Sequence, residues 1–161
     1  MTELNLKKEE NIQQSLLSKF KTLEGKITVK RARRLFAEVD FSNFRDVFHY
    51  AVKDLNFNVM CMITGLDEGE NFSFIYHLAN FDGVILDVKT SVPKSNPVIK
   101  TIMEYFPGAV LYERELTDMF GVKVEGLPEG NRYPLPDGWP EGQYPLRKDW
   151  NKEMLNQKEE K

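Results

Sequence analysis

Between residues 122 and 150 the chain carries five of its eight prolines and four of its ten glycines, and no spacing of apolar residues there fits a helix or a strand. Each proline fixes φ and removes a backbone donor. A stretch punctuated by Pro128, Pro134, Pro136, Pro140 and Pro145 therefore cannot be built into a regular element of any length. Inside a compact domain, connections beyond ~12–15 residues are functional or disordered. Disorder comes with few aromatics, yet this arm holds Tyr133, Trp139, Tyr144 and Trp150 together with Leu127, Leu135 and Leu146. Such side chains must be buried somewhere. The arm either wraps back over the chain's own sheet or lies on another subunit. Trp, Tyr and Arg are enriched among interface anchors, and prolines lower the entropy lost when an extended segment is ordered, so docking is favoured. Arg132, Arg147 and Lys148 are spaced among the anchors, suited to partner carboxylates, with solvated charges as the plain alternative.

Regular structure is then confined to residues 1–121, followed by the arm at 122–150 and a charged tail at 151–161. Ile12, Leu16, Leu17, Phe20 and Leu23 recur at helical spacing before Gly25. Ile27 to Lys30 and Leu35 to Val39 read as a hairpin around the basic connection Arg31-Ala32-Arg33-Arg34. Asp40 or Ser42 can cap a second helix with the stripe Phe44, Val47, Phe48, Ala51, Val52 and Leu55. Three strands follow, Phe57 to Thr64, Phe72 to Ala79 and Val84 to Ser91, and their short connections predict an antiparallel meander. The first is apolar on both faces and is expected to be central; the third alternates and is expected nearer an edge. Asn96-Pro97 predicts a short helix through Phe106, and a last helix runs from about Val110 to Phe120 and stops at Gly121. The fold class is α+β: a small, mostly antiparallel sheet packed with helices, then an extended irregular C-terminal arm.

The chemistry a chain of this composition can carry is limited. Twenty-two Lys and Arg against 25 Asp and Glu give a net charge of -3, which does not suggest a nucleic-acid or polybasic membrane binder. The longest apolar run, Val59 to Ile63, is far short of a membrane span, and the Met1–Lys8 start has no signal-peptide stretch, so a cytoplasmic, soluble chain is expected. One cysteine, Cys61, allows no internal disulfide and no cysteine-rich metal or iron–sulfur centre held by this chain alone; mid-strand, it is expected to be a small buried hydrophobe. His49 and His77 lack a second ligand at metal spacing and read as structural. Glu113, Glu115 and Asp118 invite an acid–base reading, but no nucleophile, histidine or metal motif accompanies them. Glu115 and Asp118 share a helix face and Arg114 and Asp118 are i,i+4 partners, so an ion-paired docking face is the simpler account. The basic Lys30–Arg34 turn is a solvated tip or a contact with an acidic subunit; a free-standing nucleic-acid-binding adaptor is the alternative from a different class.

A resemblance then becomes specific. Glu113-Arg114-Glu115-Leu116-Thr117-Asp118-Met119-Phe120-Gly121, then Arg132-Tyr133-Pro134-Leu135-Pro136 and Pro145-Leu146-Arg147-Lys148-Asp149, resemble the 30 kDa subunit family of respiratory NADH:quinone oxidoreductase, whose members also occur in energy-converting membrane-bound nickel–iron hydrogenases. The likeness extends upstream through Ile63-Thr64-Gly65-Leu66-Asp67 and Tyr76-His77-Leu78. It implies a cofactor-free scaffold, peripheral on the cytoplasmic side of the membrane. The scaffold would pack against a large catalytic subunit, which bears a nickel–iron or a quinone site, and against a cluster-bearing small subunit. Nickel–iron and iron–sulfur centres, electron transfer and proton translocation then belong to the partners. The docking residues implied are Glu113, Arg114, Glu115, Asp118, Gly121, Arg132, Trp139, Pro145, Leu146, Arg147, Lys148, Asp149 and Trp150. Gly126-Leu127-Pro128 lacks the histidine of many dehydrogenase members, and the 137–149 stretch looks more like the short hydrogenase form.

Overall fold

A computed structural model describes residues 6–158; the Met1–Asn5 part of the chain start and the last three tail residues lie outside the described residues. The chain divides into two compact units, Met1–Thr64 with Phe74–Ser91, and Gly65–Ser73 with Val92–Lys161. The arm therefore belongs to the same unit as the helix that precedes it.

In the first unit the helical spacing becomes α1 (Lys7–Lys19), followed by a 3-10 turn at Lys21–Leu23. The hairpin forms as β1 (Ile27–Arg31) and β2 (Arg34–Glu38), antiparallel. Helix α2 (Phe41–Lys53) buries Phe44, Val47, Phe48, Ala51 and Val52 of the stripe its periodicity predicts, while Leu55, the last residue of that stripe, lies beyond the helix end and is half-buried. Its Phe44 and Phe48 rings lie 4.7 and 5.5 Å from Tyr76. Burying each such ring contributes roughly 1.5–3 kcal/mol by removal from water. Asp40 stands at the helix N-cap without a side-chain cap bond, because its carboxylate pairs with Lys26 at 2.8 Å.

The sheet is completed by β3 (Val59–Asp67), β4 (Asn71–Ala79) and β5 (Ile85–Pro93), in the order β1-β2-β5-β4-β3. This corrects the expected strand positions. The 59–67 strand is an edge, and β5 lies inside, parallel to β2 with Leu35 opposite Leu86 and Phe36 opposite Asp87. The two-faced apolarity of β3 does not reflect burial on both sides: Val59 and Met62 are 40% and 45% exposed, and Cys61 is exposed rather than buried. Strand β5 is buried on both sides at its centre: Leu86 and Val88 face one side, and Asp87, buried on the other, meets Arg34 of β2 at 2.9 Å.

The second unit contains α3 (Ala109–Phe120) and a pair of three-residue parallel strands, β6 (Val98–Lys100) and β7 (Lys123–Glu125). The helix expected over 96–106 does not form. Val98 and Ile99 enter the strand instead, since β-branched residues favour extended backbone once a pairing partner is present. That partner, β7, lies in the segment whose own sequence offers no strand signal.

Candidate docking segment

Besides the pairing of β7 with β6, two polar clusters fasten the arm to its own unit. The first is centred on Asp67, whose carboxylate accepts hydrogen bonds from the backbone N–H of Gly69 and of Lys148, both at 2.9 Å, and from Lys94 Nζ at 2.8 Å. Lys94 also donates to Asp149 at 3.0 Å, so one lysine joins the end of β3 to the arm. Burial pushes the Asp67 carboxyl up, but the Lys94 hydrogen bond and the two backbone donors more than reverse this and hold it at about 2. The Asp67 hydrogen bond raises Lys94, and the Lys94 hydrogen bond lowers Asp149. Beside this cluster Arg147 donates from Nε to the Phe120 carbonyl at 2.6 Å. Its guanidinium lies 4.4 Å from the Tyr144 ring and 5.2 Å from that of Phe72.

The second fastening is the pair Arg132 and Asp118. Arg132 reaches Asp118 at 3.3 Å and the Trp139 carbonyl at 2.7 Å, while Asp118 also accepts the Leu135 N–H. Trp139 and Trp150 both donate their indole N–H to Gln143, to its backbone carbonyl and its side-chain oxygen respectively, with ring centres 6.2 Å apart. Leu146 N–H bonds the Met119 carbonyl, and Arg114 reaches the Pro128 and Glu129 carbonyls.

Gly121 is where the helix turns into the arm, and it is required twice. Its φ of 69° lies in the left-handed region that ends helices, and a Cβ there would meet Tyr144 at 2.5 Å and Arg147 at 2.6 Å. Glu113 has no exposed surface. It accepts the Ile102 N–H at 2.8 Å and the Thr101 hydroxyl at 2.6 Å, so it binds the 101–102 turn beneath α3.

Of the residues singled out in the sequence, Glu113, Asp118, Gly121, Arg132, Trp139, Arg147, Asp149 and Trp150 thus act within this unit, and Arg114 does so through backbone carbonyls. Glu115 and Pro145 are half-buried. Leu146 is 51% exposed, and Lys148, bound through its backbone, leaves its side chain in solvent. Two residues sequence reasoning missed, Asp67 and Lys94, form the centre of the first fastening. Asp67 in a turn with Gly69 two positions on is a legible Asx-turn, but its distant partners are not.

In the first unit, His77 bridges Thr64 Oγ1 at 3.0 Å and Asp87 at 2.7 Å, a hydrogen-bonded position in keeping with a structural histidine. Among the described residues no group of three or more His, Cys, Asp or Glu is placed to hold a metal ion, and no helix is long and apolar enough to cross a membrane.

Residues 37–154 match the model of the respiratory-chain NADH dehydrogenase 30 Kd subunit family. The chain is 30% identical to a subunit of the F(420)H(2) dehydrogenase of Methanosarcina mazei, across 85% of this chain and 88% of that protein. It is 40% identical to the beta subunit of the membrane-bound hydrogenase of Pyrococcus furiosus across 52% of this chain, and spans only half the length of that relative. Among solved structures it resembles a chain of the membrane-bound sulfane sulfur reductase, an archaeal respiratory membrane complex, with a TM-score of 0.79 and 33% identity over 90% of this chain and 86% of that one. A fragment of Nqo5 superimposes with a TM-score of 0.63 and 25% identity, over 75% of this chain and 98% of the fragment.

Proposed function

The chain belongs to the respiratory-chain NADH dehydrogenase 30 Kd subunit family, and from that premise we propose that it is a non-catalytic subunit of a membrane-bound redox complex. It packs against a large catalytic subunit and a cluster-bearing small subunit, and associates with the membrane only through them, on the cytoplasmic side. The observation that carries this reading is the likeness, over 90% of the chain, to a component of an archaeal respiratory membrane complex. The nickel–iron and iron–sulfur centres are held by the partners. The surface of the arm left exposed, which includes Tyr133, Leu146 and the Lys148 side chain, is available to those partners.

Within the family, an energy-converting nickel–iron hydrogenase is the first reading, supported by the 40% identity to the Pyrococcus hydrogenase subunit and by the missing histidine at Gly126-Leu127-Pro128. A quinone-oxidoreductase-type complex is the second, favoured by the Methanosarcina dehydrogenase subunit, which matches far more of the chain. Purifying the native assembly through a tag on this chain separates them. Stoichiometric nickel and a large subunit with paired Cys-x-x-Cys motifs establish the hydrogenase. A nickel-free large subunit with a quinone site establishes the second reading, and a chain that purifies alone overturns both.

A further inference from the structure

At one end of the first unit two turns lie side by side. Ala32 and Arg33 form the tight connection between β1 and β2, and Arg33 adopts φ 61°, a left-handed conformation that glycine or asparagine takes at little cost and arginine does not. The β4–β5 turn adjoins it: the Ile85 N–H bonds the Arg33 carbonyl at 2.9 Å, and a Cβ on Gly83 would lie 3.8 Å from the Arg33 guanidinium. At the tip of that second turn stands Phe81, 89% exposed. A cleft of about 450 Å³, to which Lys8, Ala32, Arg33 and Asp82 contribute, opens beside it.

The charges here do not cancel. Glu9 turns inward, only 3% exposed, and its carboxylate accepts the Arg33 backbone N–H, while Asp82 pairs with Lys8 at 2.9 Å. Among the described residues Lys30 lies over the Phe36 ring and Arg31 reaches its neighbour's carbonyl, at 3.5 Å. Lys30, Arg31 and Arg33 are all exposed, and among the described residues none of the three side-chain cations pairs with a carboxylate. A single exposed apolar residue needs no explanation. An exposed ring in a turn that adjoins Arg33, itself in a strained backbone conformation, with Lys30 and Arg31 on the strand leading into the same hairpin connection, has the composition of an interface anchor and the strain that accumulates at functional positions.

We propose that this pair of turns is a docking site for an acidic segment of a partner subunit, with Phe81 set against an apolar side chain of that segment and Lys30, Arg31 and Arg33 on its carboxylates. The inference rests on the proposed place of the chain in a membrane-bound complex, and names a surface for it far in sequence from the arm. Charge complementarity identifies the occupant. Three cations at a hairpin tip, flanked by Asp82 on a chain of net charge -3, match a few carboxylates on a protein; a nucleic-acid interface runs along many phosphates.

The test uses the full chain, tagged, in its native assembly, as wild type, Phe81→Ser and the charge-removing double variant Arg31→Gln/Arg33→Gln. Each variant is expected to reduce partner retention through a salt wash by roughly tenfold, with the unfolding midpoint of the isolated chain unchanged because the altered side chains are exposed. A photo-activatable residue at position 81 is expected to cross-link a partner subunit through an acidic peptide, and this decides the matter should either variant fold poorly. Assembly of both variants at wild-type yield, or no partner peptide at position 81, overturns the inference and leaves the proposed function standing. A wild-type chain that purifies without partners overturns the proposed function as well. RNA binding by the wild type that is lost in the double variant assigns the cations to nucleic acid and also overturns the inference.

Discussion

Replacing Asp67 by Asn removes one charge and keeps the shape of the side chain. The carboxyl stands at about 2 against an ordinary 3.8, a difference worth about 2 kcal/mol of folding free energy. A second route gives a similar figure. Removing one member of a buried ion pair costs about 3–5 kcal/mol; the Asp67 side chain is 2% exposed, but Lys94 is 18% exposed and keeps Asp149, which places the loss at or below that lower bound. Because the folded carboxyl is held below its unfolded value, this stabilisation is complete above about pH 4 and disappears as pH falls towards 2. Urea unfolding of the isolated chain at neutral pH is expected to show Asp67→Asn about 2 kcal/mol less stable than wild type, with the gap closing in acid. Tryptic cleavage within 147–152 should accelerate in the variant at neutral pH, since the Lys148 N–H loses its charged acceptor. An unchanged midpoint together with wild-type protection of those sites would refute the account of Asp67 as the fastening of the arm.

Gly121→Ala combines a left-handed backbone with overlap on Tyr144 and Arg147, and should cost more than the ~1 kcal/mol expected for Gly25→Ala, whose positive φ faces open space; urea midpoints of the two variants compare them directly. Glu113→Ala strands the buried Ile102 N–H and should lower stability by about 1–3 kcal/mol at neutral pH, read by thermal unfolding. Arg147→Ala loses a charge-assisted hydrogen bond and two ring contacts, about 2 kcal/mol, whereas Lys148→Ala should stay within about 0.5 kcal/mol of wild type; equal losses would mean that the Arg147 contacts do not hold the arm. Deleting residues 127–150 should leave the rest of the second unit open to proteolysis, because Phe72 and Phe120 lose Arg147 and β3 loses its link through Lys94 to Asp149.

What could be read from the sequence follows from how local each signal is. The α2 stripe is a period of one helix and was legible from Phe44 to Val52, Leu55 falling past the helix end, and the stop of α3 at Gly121 was legible as well. The order of the strands was not. Apolarity on both faces is equally consistent with a central strand and with an edge whose side chains stay exposed, and only the pairing of β2 with β5 decides between them. Strand β6 was hidden because Asn96-Pro97 is a good helix start and its partner β7 lies 25 residues on. The anchors of the arm were recognised by type, but not their partners: Asp67 and Lys148 are 81 positions apart, and nothing in either neighbourhood names the other.

Attachment of the arm to its own unit bears directly on the proposed docking. A segment that is disordered until it meets its partner spends about 2–5 kcal/mol of the interaction on ordering. Here Asp67, Asp118 and the Met119 carbonyl already hold the backbone at Lys148, Leu135 and Leu146, and the Phe120 carbonyl holds the Arg147 side chain, so the backbone that carries the exposed Leu146 and Lys148 is set before any partner arrives. On the proposed function, wrapping back and docking are then successive uses of one segment: the charged residues, Arg132, Arg147 and Asp149, hold the arm, and the neighbours they position meet the partner. Loosening the fastening should therefore weaken assembly even where the substituted side chain never touches a partner, because the ordering cost returns to the binding step.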